Sequence, residues 1–226
     1  MEQLFKLDLG KIRNISKKEI LERKKNLDLF LDNGLPNKKD ENWKFSDFNF
    51  IINKNFKHIT NNQEFQTERK IEVFKDFEHN YIILVNGTLT SSDMKFEKNG
   101  KVKLESLNSF ENFNYHSENN LSFLNKALSS GGFELEIKEN YKCNKPIVIY
   151  NYFTSNLENK IVNNSNKIKM NQNSELTLIE FNITEESKFL KNTFEEIVID
   201  SDSILKHIMI QKNKSNGYFY KNISGL

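Results

Sequence analysis

Apolar and polar positions alternate most regularly in residues 166–181, NKIKMNQNSELTLIEF, and again in residues 195–210, EEIVIDSDSILKHIMI. Laid over one another at an offset of 29 residues, without a gap, they pair Ile168 with Ile197, Met170 with Ile199, Asn171 with Asp200, Asn173 with Asp202, Ser174 with Ser203, Leu176 with Leu205, Ile179 with Ile208 and Phe181 with Ile210. Each unit reads as a short strand, a polar turn and a second strand. A fixed period of this size is the signature of a solenoid, in which each coil buries its apolar face against its neighbours. Strands in place of helices make the predicted solenoid a β-helix. Leu176 to Ile179 is an odd step, and an odd step changes face unless the strand bulges or turns a corner. The pattern therefore predicts a bend near Thr177 and another near Lys206, with Ile179, Phe181, Ile208 and Ile210 in the core.

Upstream the periodicity changes. Residues 16–33 carry an apolar stripe of Ile20, Leu27, Phe30 and Leu31 behind a Ser16-x-x-Glu19 capping box, and Gly34 and Pro36 supply the stop. Trp43, Phe45 and Phe48 then read as a short segment packing back on that helix. Residues 54–79 are polar and weakly patterned, a loop with some helix. Residues 81–89 read as a buried strand, an Asn86-Gly87 turn and the start of a second strand. A short strand is expected at residues 102–104 and a second helix at residues 117–130, capped by Ser117 or Asn119, striped by Leu121, Leu124 and Leu128 and closed by Gly131-Gly132. Residues 133–137 alternate with period two, Phe133, Leu135 and Ile137 inward and both glutamates outward; a strand over 147–153 follows Pro146. The fold class is mainly β: a partial parallel β-helix preceded by a helical, α+β region, with residues 1–115 as the N-terminal part and 116–226 as a linking helix and the first coils.

Composition narrows the function. Lys and Arg total 33 against 31 Asp and Glu, a formal charge of +2, so no strong field steers the chain to nucleic acid or an anionic membrane. Apolar residues are sparse at 37%, but 19 Phe argue against disorder. A single cysteine, Cys143, excludes an intrachain disulfide framework and suits a reducing compartment. The first residues contain no signal-like apolar run, and no stretch is apolar enough to span a bilayer, so a cytoplasmic protein is expected.

Candidate chemistry is thin, and no catalytic residue is assigned. Asp200 and Asp202, beside Glu195 and Glu196, would suit Ca²⁺ or a polysaccharide lyase, yet the equivalent positions are Asn171 and Asn173. Positions that exchange Asp for Asn are using turn chemistry. Glu134 and Glu136 share a strand face about 6.6 to 6.8 Å apart, a spacing some glycosidases use, although alternating glutamates on a solvated face are commoner. Among His58, His79, His116 and His207 there is no metal-ligand spacing, so no metal is expected. His207 stands where the first unit has Leu178; an imidazole in a solenoid wall is a ligand or proton carrier, or more commonly a satisfied core histidine. Cys143 lies between Lys142 and Lys145, which would lower its pKa, though no base accompanies it. His207 and Cys143 are thus the two weak cofactor-site candidates.

The string Gly34-Leu-Pro-Asn-Lys-Lys-Asp-Glu-Asn-Trp-Lys-Phe-Ser46 resembles the N-terminal region of the SufB/SufD family of iron–sulfur cluster assembly proteins, in its SufD form. The resemblance continues through the apolar strand ending in Asn86-Gly87, the helix ending in Gly131-Gly132 and the Lys145-Pro146-Ile147 strand leading into repeats, over roughly residues 20–226. It implies a right-handed β-helix and a non-catalytic scaffold that pairs with a SufB-like subunit and, through a C-terminal region, a SufC-like ATPase. It also implies no cofactor bound by this chain, with a transient iron–sulfur cluster at an interface of the full-length complex. One period beyond Ile197 falls on Leu226, so the chain is expected to be truncated on its C-terminal side, or to have its open end covered by a partner. A carbohydrate-active β-helix enzyme and a structural β-solenoid of other function are the alternatives.

Overall fold

The computed structural model describes residues 4–12, 16–62, 71–107, 113, 119–211 and 217–226. In chain order the elements are β1 (Phe5–Lys6), α1 (Lys17–Asn33), α2 (Phe48–Asn55), β2 (Ile59–Asn61), β3 (Asn80–Val85), β4 (Thr88–Asp93), β5 (Val102–Ser106), α3 (Asn120–Leu128), β6 (Phe133–Ile137), β7 (Ile147–Phe153), β8 (Lys160–Met170), β9 (Glu175–Thr184), β10 (Phe189–Ile199), β11 (Ile204–Gln211) and β12 (Gly217–Gly225). One sheet runs β1-β2-β8-β10-β12, with β6 beside β8 and β5 antiparallel to β6; the other runs β11-β9-β7-β3-β4. From β7 onward the chain alternates between the two sheets, and each strand lies parallel on the one a coil earlier. The result is a parallel β-solenoid of about three turns in the C-terminal part, as the repeat predicts.

The observed register is the sequence offset. Ile168 lies opposite Ile197 and Leu176 opposite Leu205, each 29 residues on, and the step shortens to 28 where Phe189 meets Gly217. Asn173 and Asp202 sit at the same corner with φ of 55° and 59°, a left-handed conformation that Asn and Asp tolerate better than most residues. The Asn173 N–H donates to Ser201 O, and Ser201 N–H to Asp200 Oδ1. These polar positions are turns, as the Asp/Asn exchange implies.

The predicted bends do not form. β9 and β11 pair without interruption from Glu175 opposite Ile204 to Asn182 opposite Gln211. Leu176, Leu178 and Glu180 are the buried, inward set of β9. Ile179 and Phe181 point the other way, where a strap over residues 71–77 covers them: Phe74 lies 4.8 Å from the Phe181 ring and 5.4 Å from Tyr150. One face of this strand is buried and the other is half-buried under the strap, so the odd step marks a change of face and not a corner. Beyond the strap Ile208 and Ile210 are 48% and 42% exposed and do not belong to the core.

The helices cover the outer face of the β8-containing sheet. Ser16 caps α1, its Oγ accepting from Glu19 N–H at 3.1 Å, and Asn119 caps α3, its Oδ1 accepting from Ser122 N–H at 2.9 Å. Phe30 of α1 and Leu121 and Leu124 of α3 bury against Ile161 and Leu190. Ile20 is exposed, and the buried face of α1 instead carries Glu19 and Arg23, whose guanidinium binds Glu19 Oε1 at 2.9 Å and Ala127 O at 2.9 Å. Trp43 packs on Phe48 at 5.3 Å and on Tyr220 of β12 at 5.6 Å, so the Gly-Leu-Pro string ties the helical region to the solenoid. At Gly132, φ is 131° and a Cβ would lie 1.8 Å from Ser165 O, so only glycine lets α3 run into β6 this close to β8.

Candidate functional site

The solenoid interior has three zones. Near the 171–174 and 200–203 turns it is apolar, built from Phe133, Leu135, Ile168, Met170, Leu176 and Leu178 among others. At the opposite end Phe153 and Phe189 stack, Phe219 meets both edge-on, and Leu157 and Val162 pack beside them. Between them the inward positions turn polar. Thr193 Oγ1 donates to Asn164 Oδ1 at 2.9 Å, and Asn164 Nδ2 to Asn166 Oδ1 at 3.2 Å.

In this middle zone four strands deliver one charged cluster. Strand parity sets it: Glu180 is two residues past Leu178 on β9, Lys191 and Glu195 are inward on β10 with Ile197, His207 is two past Leu205 on β11, and Lys221 is two past Phe219 on β12. His207 Nε2 lies 2.9 Å from Glu180 Oε1 and Nδ1 lies 3.6 Å from Glu195 Oε1. Lys221 Nζ lies 2.7 Å from Glu180 Oε1 and 3.0 Å from Glu195 Oε1. Lys191 Nζ sits 5.1 Å above the Phe153 ring. Glu195 is fully buried, and neither of its carboxylate oxygens accepts a well-formed hydrogen bond, the Lys221 contact being an ion pair.

Burial sets the electrostatics. It raises the Glu180 carboxyl, but the His207 bond and the charges of Lys221 and Lys191 outweigh it and hold the group well below the usual carboxylate range. Glu195 goes the other way, because burial exceeds what Lys221 returns. Burial brings the Lys191 ammonium down to about 8 against the opposing pull of Glu180, whereas at Lys221 the charges of Glu195 and Glu180 outweigh burial and raise it. Two carboxylates of one cluster are thus pushed apart, which is how a proton or a cation comes to be held at a defined place. One ligand atom each from Glu180, Glu195 and His207 falls within 4.8 Å of the others, close enough for the three to converge on one cation.

Of the residues singled out in the sequence, His207 and Glu195 join this cluster, Glu195 without Asp200 and Asp202 beside which it was read. Cys143 is half-buried against the apolar end of the interior, and burial, then Glu97, pushes its thiol up to about 12. The expected acidification fails because Lys142 pairs with Glu175 and Lys145 with Glu78. Glu136 is held down to about 2 by Lys138, then Asn171, and pairs with Lys138 and Lys169, so it belongs to a face of paired lysines and carboxylates. Asp200 borders an open cleft of about 580 Å³ lined largely by turn residues such as Asn99, Gly100, Asn171 and Gln172. His79 is a satisfied buried histidine, bound to Tyr150 Oη at 2.8 Å and Phe77 O at 2.9 Å; His58 is exposed and His116 lies outside the described residues. Glu180, Lys191 and Lys221 were not singled out. The 29-residue offset combined with strand parity points to Glu180 and Lys191, once Ile179 and Phe181 are placed outward.

Fold and interior together define a parallel β-solenoid protein with helices packed on one sheet and a charged belt inside. Residues 2–149 match the family described as SufBD protein N-terminal region, and the chain belongs to the SufB/SufD family. Membership ties it to the SUF system of iron–sulfur cluster assembly. No curated protein matches the chain. The match ends at the start of β7, so every residue of the charged cluster lies beyond it. Among the described residues no helix is long and apolar enough to cross a membrane.

Proposed function

We propose that the chain is a SufD-like, non-catalytic scaffold subunit of the SUF system that pairs with a SufB-like subunit and works with a SufC-like ATPase in the cytoplasm. The family match over residues 2–149 carries the reading. The resemblance of the Gly-Leu-Pro to Asn-Trp-Lys string supports the SufD form; in the fold this string ties the helical region to the solenoid through Gly34, buried Leu35 and Trp43.

Pairing draws support from the solenoid edge. Among the described residues β11 and β12 each pair with one strand only, and Ile204, Ile208, Met209, Ile210 and Ile223 are exposed there. An edge that is both unpaired and apolar is suited to strand addition by another chain. In this reading the iron–sulfur cluster is cargo, assembled at an interface with the partner.

Co-expression with SufB- and SufC-like proteins, followed by affinity purification through this subunit, tests the proposal. A complex of defined stoichiometry is expected. If neither partner is retained, the assignment falls.

A further inference from the structure

We propose that Glu180, Glu195 and His207 form a binding site for one first-row divalent transition-metal ion, with the Lys221 ammonium as a displaceable resident at the same place. Spacing along the sequence gives no sign of it, because three different strands supply the three donors. The inference does not depend on the assembly role.

The distances fit two ligands of one ion better than a hydrogen bond. His207 Nδ1 and Glu195 Oε1 are 3.6 Å apart, too far for a good hydrogen bond. Nitrogen and oxygen ligands lying about 2.0 to 2.2 Å from a tetrahedral ion are about 3.4 Å from each other. His207 Nε2 lies 2.9 Å from Glu180 Oε1, so Nδ1 is the ring nitrogen turned toward Glu195 and, in the neutral ring with its proton on Nε2, the one with a lone pair to give.

The second observation is Glu195 itself. It is fully buried, yet Oε2 has no hydrogen-bond partner and Oε1 meets only the Lys221 ammonium and the His207 ring. A buried carboxylate is costly unless a cation or donors complete it. Lys221 Nζ, at 2.7 and 3.0 Å from the two carboxylates, occupies the place where a bridging cation belongs. It can leave: Lys221 is on edge strand β12, is partly exposed, and reaches past the solvent-exposed Met209. Two carboxylate oxygens and one imidazole nitrogen favour iron(II), manganese(II), cobalt(II) or zinc over calcium, which takes oxygen ligands alone.

Cobalt(II) titration of the chelator-treated chain, read by visible absorption, tests the site. One equivalent is expected to bind with a spectrum typical of oxygen and nitrogen ligands. His207→Leu and Glu195→Asn install the residues that the preceding coil carries at Leu178 and Asn166, and each is expected to weaken binding at least tenfold. Lys221→Met is expected to tighten it at least tenfold and to gain thermal stability on cobalt addition; adding His207→Leu to that variant abolishes the gain. Should Lys221→Met fail to fold, the wild type against His207→Leu decides. The proposal is overturned if wild type binds no cobalt, or if His207→Leu leaves affinity and spectrum unchanged. Neither result bears on whether the complex with SufB- and SufC-like proteins forms.

Discussion

Two successive coils, β8–β9 and β10–β11, share a period and a turn and yet have different interiors. Next to the turn they match: Ile168 faces Ile197, Met170 faces Ile199 and Leu176 faces Leu205. Further in they part. Val162 is replaced by Lys191, Asn166 by Glu195 and Leu178 by His207, while the inward Glu180 of the first coil meets Met209 of the second. Positions that repeat build the wall, and positions that break the repeat assemble the only three-donor cluster of metal-ligating side chains among the described residues. A solenoid can afford such departures because its backbone ladder is satisfied whatever the inward side chain is. What constrains them is charge: Glu180 and Glu195 are stacked against Lys191 and Lys221, so each inserted ion has a counter-ion in the same or the next coil.

The hardest way to break this balance is to remove one side of it. Without added metal, Lys221→Met leaves Glu180 and Glu195 in the interior with Lys191 and the His207 ring. Removing one partner of a buried ion pair typically costs about 3 to 5 kcal/mol, and a loss of that size is expected in the urea midpoint at neutral pH. A loss below about 1 kcal/mol, the range of an exposed pair, would mean that the cluster is solvated and the interior contrast between the coils is not real.

The architecture was legible in the sequence because it is periodic. The offset between Ile168 and Ile197 is the observed pairing, and the caps at Ser16 and Asn119 are local signals that survive folding. What was hidden depended on facts a single strand does not carry. Ile179 and Phe181 look like core residues, and are half-buried, but against a strap over residues 71–77 that has no periodic signal of its own. Assigning them inward placed Glu180 outside and concealed the cluster, leaving His207 as an isolated oddity. Arg23 and Glu19 were unreadable for a similar reason: the carbonyl that completes them, Ala127 O, lies 104 residues away. Cys143 misled because charge along the chain was counted as charge in space, whereas both adjacent lysines are occupied by other carboxylates.

A smaller perturbation sharpens the contrast between Val162 and Lys191. The folded Lys191 ammonium titrates at about 8, against 10.5 for the free side chain. Between these values the unfolded chain holds a proton that the folded chain lacks, so this group makes stability rise with pH across the window. The cost is fully present below about pH 8 and relieved above pH 10.5; at 1.36 kcal/mol per unit it amounts to about 3 kcal/mol. Tyrosines with raised pKa values, Tyr141, Tyr150 and Tyr220, act in the opposite sense from pH 10 upward, so the measurement is the difference between wild type and Lys191→Met. Denaturant unfolding from pH 7.5 to 10 is expected to show wild type gaining stability relative to the variant as pH rises. A constant difference would remove Lys191 from the buried set.

The smallest expected effect separates two residues that the repeat treats as equal. Ile179 and Ile208 are opposite one another on β9 and β11 and both point outward, but the strap packs on Ile179 whereas Ile208 is 48% exposed. Ile179→Thr removes apolar surface from a packed cluster and should cost roughly 1 to 2 kcal/mol. Ile208→Thr should change the stability of the isolated chain by no more than about 0.5 kcal/mol. Thermal melts of the two variants side by side measure the difference directly. If Ile208→Thr costs as much as Ile179→Thr, the outer face of β11 is covered in solution, and the exposed apolar edge that supports pairing with a second subunit is already in use. If it costs nothing alone but weakens retention of the SufB-like partner, the same isoleucine that the repeat places twice serves once to hold the wall together and once to extend it into another chain.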